Sequence, residues 1–129
     1  MDSNIFAKTG HCSYIRVDLD AITNNVNILR SRVATNTELI AVVKGGGYGH
    51  GGVPVSRHLK SIGVRALAVA TGGEGRSLRK GGLQGKIHVV GNFQPEDIDC
   101  IVENDLIPTV SWSNGLKSIP KDKLVNKVS

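Results

Sequence analysis

The feature that most limits what this chain can fold into is a rhythm in its apolar residues. Residues 39–43 (Leu-Ile-Ala-Val-Val) and 66–70 (Ala-Leu-Ala-Val-Ala) are two five-residue runs without a polar side chain. Continuous short runs of this kind are typical of parallel strands covered on both faces. Between and around them lie segments with helical spacing. Ile22, Val26, Leu29 and Val33 recur three or four apart across residues 19–33, with Asp18 or Asp20 placed to accept a bond from a free backbone N–H at the start. Residues 14–18 alternate as a strand would. Pro54 sits well in the first turn of a helix running to about residue 62, because its missing N–H has no intrahelical partner there. The rhythm continues with a strand over 65–70, a short helix over 74–80 stopped by Gly81-Gly82, and a strand over 86–90. A helix opened by Pro95-Glu96-Asp97 and a strand over 106–110, weakened by Pro108, follow. A polar helix start is expected at Ser113-Asn114, and the pattern fades beyond Ile119-Pro120.

Strand and helix alternating at this spacing imply an α/β fold with right-handed crossovers and a parallel sheet. In such sheets ligands bind at the carboxyl ends of the strands, in the loops that lead into helices. Both glycine clusters, 45–52 and 72–75, fall at such ends. So does Lys44, directly after the first apolar run. An ammonium leaving a buried strand is expected to be partly desolvated, which lowers its pKa and frees a neutral amine as a nucleophile. Glycine N–H groups and the helix opening near Val53-Pro54 favour an anion such as phosphate nearby.

Other readings of the same residues stand beside this one. Lys44 also reads as the end of a strand at the surface, followed by a flexible turn. A P-loop is excluded, since its lysine follows the glycines whereas here it precedes them. A dinucleotide fingerprint is formally present in Gly47-Tyr48-Gly49-His50-Gly51-Gly52, with Glu74 as the distant acid. The net charge of +5 suggests nucleic acid, but aromatic residues are only 4%, too few for base-stacking platforms. Lys117, Lys121, Lys123 and Lys127 read as a solvated tail, so no nucleic-acid partner is expected. Cys12 and Cys100 form neither a disulfide framework nor a metal quartet, and no metal site is expected. No apolar run can span a bilayer and the start has no secretory pattern, so the expected location is cytoplasmic, with no membrane partner.

The run Leu39-Ile40-Ala41-Val42-Val43-Lys44-x-x-x-Tyr48-Gly49-His50-Gly51 resembles the cofactor-lysine motif of the alanine racemase family. Val17-Asp18-Leu19-Asp20-Ala21-Ile22, then Asn25 and Leu29-Arg30, resemble that family's opening segment. Leu67-Ala68-Val69-Ala70 before Glu74, and Val89-Val90-Gly91 before Pro95-Glu96, resemble its next two strand ends. The resemblance implies a partial (β/α)8 TIM-type barrel, about its first half, with residues 1–129 as one partial domain. Residues 14–112 carry the likeness and 113–129 form a tail. It implies pyridoxal 5'-phosphate as cofactor and interconversion of L- and D-alanine as the reaction. Lys44 is then the catalytic and cofactor-holding lysine, a base on one face of the substrate's α-carbon. Tyr48 then matches the tyrosine whose hydroxyl hydrogen-bonds near the cofactor phosphate; read without the resemblance it is an aromatic plug over the strand end, which is compatible with that role. His50 makes loop hydrogen bonds, while His11, His58 and His88 are structural or exposed.

The sequence departs from the family where Gly45-Gly46-Gly47 replaces Ala-Asn-Ala or Ala-Asp-Ala, and Gly72-Gly73-Glu74-Gly75 replaces Leu-Glu-Glu-Ala. Glycine for alanine in an ordered helical turn costs roughly 0.5–1 kcal/mol each, which would loosen the cofactor loop. A full barrel needs roughly 250 residues, about twice this chain. The later strands and the opposite-face base that the resemblance calls for are not in it. Open sheet edges imply a homo-oligomer or a longer partner chain. The alternatives to an enzyme are a non-catalytic remnant with a binding or regulatory role and, more distantly, a nucleotide-binding α/β module.

Overall fold

The computed structural model describes residues 15–111, 117, 119 and 120. Four parallel strands, β1 (Ile40–Val42), β2 (Ala66–Val69), β3 (Lys86–Val89) and β4 (Ile107–Pro108), lie side by side in chain order. Helix α1 (Leu19–Ser31) precedes β1. The connections carry α2 (Lys44–Tyr48) with α3 (Gly52–Ser61), then α4 (Gly72–Lys80), then the 3-10 turn Pro95–Asp97 leading into α5 (Ile98–Glu103). Strand order equal to chain order, with crossovers of one hand, puts the helices on one face of the sheet. The core shows it. Leu67, Val69, Ile87 and Val89 pack into a single cluster with Val55 and Leu59 of α3, Leu78 of α4, and Ile98 and Ile101 of α5. Each fully buried aliphatic side chain contributes about 1.5–3 kcal/mol relative to exposure. The parallel sheet is the one that the alternation of elements predicts, and its arrangement is that of the first part of a (β/α)8 barrel, as the resemblance implies.

Alternation along the strands sends the other residues to the face without helices. There Ile40, Ala66 and Lys86 stand in one row, and Val42, Ala68, His88 and Ile107 in the next. Ala66 and Ala68 are nevertheless almost fully buried, shaded by their larger neighbours, whereas Ile40 and Val42 are 49% and 43% exposed. Here the structure departs from expectation. The apolar run 39–43 reads as a covered central strand, but β1 is three residues long and forms the edge of the sheet. Residues 15–18 join no strand, and Ile15 is 76% exposed. A two-residue period needs a ladder partner to become a strand, and the neighbouring edge of β1 does not supply one.

Helix starts follow their caps. Asp18, not Asp20, caps α1, its Oδ1 accepting the N–H groups of Asp20 and Ala21 at 3.0 Å each. Helix α1 docks on α3 through Thr23 Oγ1 and His58 Nε2, 2.7 Å apart, and Arg30 Nη1 donates to the Ile62 carbonyl at 2.8 Å. His58 is structural. Helix α4 starts at Gly72, two residues earlier than the glycines suggest, because Thr71 and Glu74 form a reciprocal capping box around them. The helix expected from Ser113-Asn114, and His11 and Cys12, lie outside the described residues.

Candidate cofactor site

All four strands point their carboxyl ends the same way, and Lys44 follows β1 at that end. Val43, just before it, is buried and its N–H donates to the Ala68 carbonyl at 2.8 Å, which fixes the strand end against β2. The lysine itself is exposed. The desolvation expected of it is therefore not supplied by the described residues, among which β1 is the edge strand of the sheet.

The turn after Lys44 has a property that glycine content alone does not reveal. Gly45, Gly46 and Gly47 have φ of 60°, 63° and 69°, and Tyr48 follows at 54°. Gly49 N–H donates to the Gly45 carbonyl at 2.9 Å and Gly51 N–H to Gly46 at 2.8 Å. This is one turn of left-handed helix. A residue with a Cβ costs roughly 1–2 kcal/mol in that conformation, so glycine is what permits the hand of the turn. The expectation that three glycines loosen an ordinary helical turn is corrected accordingly. Tyr48 is 61% exposed. It does not plug the strand end, because the reversed turn carries it away from the sheet. His50 behaves as expected of a loop histidine, with Nδ1 3.0 Å from the Gly47 carbonyl.

Glu74 is the residue that the reading of the sequence undervalued. One carboxylate oxygen accepts Gly45 N–H at 2.7 Å, and the other accepts Ala70 N–H at 2.7 Å and Thr71 N–H at 3.3 Å. The signal was available as Thr71-x-x-Glu74, a capping-box spacing, but the reach to Gly45 was not. With both oxygens engaged in this way, Glu74 is not free to bind a ribose, which removes the acid from the dinucleotide reading. A further close approach lies at Gly91, where a Cβ would run into the Ala70 carbonyl, so the ends of β2 and β3 meet backbone to backbone. Among the described residues no group of three or more His, Cys, Asp or Glu could hold a metal ion. No helix among them is long and apolar enough to cross a membrane.

Residues 17–127 match the family described as alanine racemase, N-terminal domain. The chain belongs to that family. It is 39% identical over 97 residues to the alanine racemase of Desulforamulus reducens, covering 75% of this chain and 26% of that protein. It is 41% identical over 100 residues to that of Prochlorococcus marinus, covering 77% and 26%. Among solved structures, alanine racemase from Bacillus anthracis with bound L-Ala-P matches with a TM-score of 0.70 and 44% identity, over 73% of this chain and 24% of that one. Alanine racemase from E. faecalis matches with a TM-score of 0.75 and 32% identity, over 82% and 29%. The chain thus spans about a quarter of the length of these relatives. The residues at the end of β1 fit the aldehyde cofactor that the family implies. An imine-forming aldehyde needs a primary amine that it can reach, and Lys44, exposed directly after the anchored end of β1, offers one.

Proposed function

We propose that this chain is a pyridoxal-phosphate-holding part of an alanine racemase, with Lys44 as the residue that carries the cofactor. The observation that supports it most is the place of Lys44. In a chain of this family, the lysine of the motif stands at the carboxyl end of a parallel strand, anchored through Val43 and exposed at its amine. Bound pyridoxal phosphate supplies an electron sink that acidifies the α-hydrogen of an amino acid. The protein's own part is to hold, orient and move a proton. Lys44 would hold the cofactor through Nζ and, once the substrate's amino group had taken its place, would accept the proton on one face of the α-carbon of alanine, and the Tyr48 hydroxyl would be the donor to the phosphate. The Glu74 carboxylate holds the peptide after Lys44.

Racemisation requires a second proton carrier on the opposite face. Lys44 serves one face, so the chain works with residues from outside itself. The open edge at β1 and the exposed Ile40 and Val42 on its helix-free face support an assembly that completes the sheet, with a second copy or a longer partner chain. The composition and the pair of unclustered cysteines support a cytoplasmic setting.

The test is direct. Pyridoxal phosphate added to the folded chain gives a visible absorption band as Nζ displaces the aldehyde oxygen as water. Borohydride reduction then fixes the C–N bond on the peptide that contains Lys44, and Lys44→Ala gives neither band nor adduct. A folded chain that stays colourless at saturating cofactor overturns the proposal. The exposure of Lys44 favours one second reading, a cofactor-holding protein that does not turn over. Alanine in D2O separates the two: a cofactor-holding protein that does not turn over leaves the α-hydrogen in place, whereas a working racemase exchanges it and also yields the opposite enantiomer.

A further inference from the structure

We propose that Glu74 is a positioning residue for Lys44, replacing a rung of the sheet with a carboxylate at the point where the chain leaves β1. This rests on the proposed role of Lys44. In a parallel ladder, Val43 N–H bonded to the Ala68 carbonyl is followed by Ala70 N–H bonded to the Val43 carbonyl, and then by Gly45 N–H bonded to the Ala70 carbonyl. The first of these bonds is present at 2.8 Å. The other two are not made. The Val43 carbonyl instead accepts Gly47 N–H at 2.8 Å, inside the left-handed turn. Two backbone donors at the strand ends thereby lose their ladder acceptors, and Glu74 accepts both, Gly45 N–H on Oε1 and Ala70 N–H on Oε2, each at 2.7 Å. Distances this short are those of charge-assisted bonds.

The consequence bears on Lys44 because the clamp holds the next peptide. Val43 is anchored on one side of the lysine by Ala68 and Gly45 on the other by Glu74, so the Lys44 Cα is held at both ends while its side chain is free to reach a ligand. The three glycines that follow would otherwise allow the backbone a wide range of conformations. A carboxylate is the side chain suited to this place. It offers two acceptor oxygens and no donor, whereas an amide would set an N–H against one of the two backbone N–H groups.

The test compares Glu74→Gln with Thr71→Ala. Both weaken the α4 capping box, but only the first disturbs the bond to Gly45. Hydrogen exchange at Gly45 and Ala70 is measured in the full chain without cofactor, alongside unfolding in urea to normalise for stability. Pyridoxal phosphate labelling of Lys44, trapped with borohydride and read as a ratio to a lysine outside α4 such as Lys86 of β3, is measured in parallel. In Glu74→Gln, exchange at Gly45 or Ala70 speeds up about tenfold at equal global stability, and the Lys44 labelling ratio falls by a similar factor. In Thr71→Ala, both stay near the parent values while α4 loses stability. Unchanged exchange in Glu74→Gln overturns the clamp, and so does a labelling ratio that falls equally in both variants. If the parent itself shows no preference for Lys44, the reading of Lys44 as cofactor lysine fails, while the exchange data still judge the clamp.

Discussion

Replacing Arg79 is expected to cost more stability than any other surface-charge change in the chain. Its guanidinium ties two loops together, the one between α4 and β3 and the one between α5 and β4. Nε donates to the Asn104 carbonyl and Nη1 to Leu83, both at 2.9 Å, while Nη2 donates to Gly85 at 2.9 Å and Asp105 at 2.7 Å. The side chain is only 14% exposed, so these bonds are poorly replaced by water. The Leu83 and Asn104 bonds are part-buried and the other two exposed. Stranding a part-buried carbonyl costs roughly 1–3 kcal/mol, and exposed carbonyls recover most of their loss from solvent. Arg79→Ala should therefore destabilise the fold by about 3 kcal/mol. The ion pair with Asp105 contributes little, being 3.9 Å long with an acid 78% exposed. Urea unfolding followed by far-UV circular dichroism reads the effect. With a slope of about 1.5–2 kcal/mol per molar urea, the midpoint falls by about 1.5–2 M. Arg79→Lys keeps the charge but not the planar fork, and should recover less than half of the loss. Asp105→Asn should stay within about 0.5 kcal/mol of the parent. The reasoning is refuted if Arg79→Ala is as stable as the parent, or if Asp105→Asn costs as much as Arg79→Ala.

Further expectations follow from single sites. The Ser56 hydroxyl is fully buried in α3 without a hydrogen-bond partner, so Ser56→Ala should raise stability by about 1 kcal/mol, seen as a higher melting temperature. At Gly46 a Cβ meets nothing within 4 Å, so Gly46→Ala isolates the cost of the left-handed backbone. It should lose about 1 kcal/mol in urea, while D-alanine introduced there by chemical ligation should lose nothing. Gly91→Ala forces the ends of β2 and β3 apart and should destabilise by more than Gly46→Ala, by about 2 kcal/mol or more, in the same assay.

The alternation of strand and helix and the parallel sense of the sheet were legible because both follow from short-range rhythm and from the hand of crossovers. What could not be read was anything decided by a distant neighbour. The run 39–43 is as apolar as 66–70, yet one is an edge and the other lies between two partners, and no local pattern separates them. Residues 14–18 have the period of a strand and lack the ladder. Glycine is compatible with either hand of turn, so the sequence around 45–47 shows freedom without showing its use. Glu74 and Arg79 act across 29 and up to 26 residues of chain, on backbone groups that leave no trace in side-chain pattern. The place of Lys44 at a strand's carboxyl end was legible because it follows directly on an apolar run. Its exposure was not, because that depends on what stands beyond β1.

The left-handed turn also makes its residues interdependent. With alanine at all three positions a turn of the common hand costs nothing at the Cβ; with glycine at all three the opposite hand becomes accessible. A single alanine meets a backbone set by the other two glycines, so the effect of one substitution depends on its neighbours. The three positions therefore act as one conformational unit, and Tyr48, at a φ of 54°, shares its reversed hand.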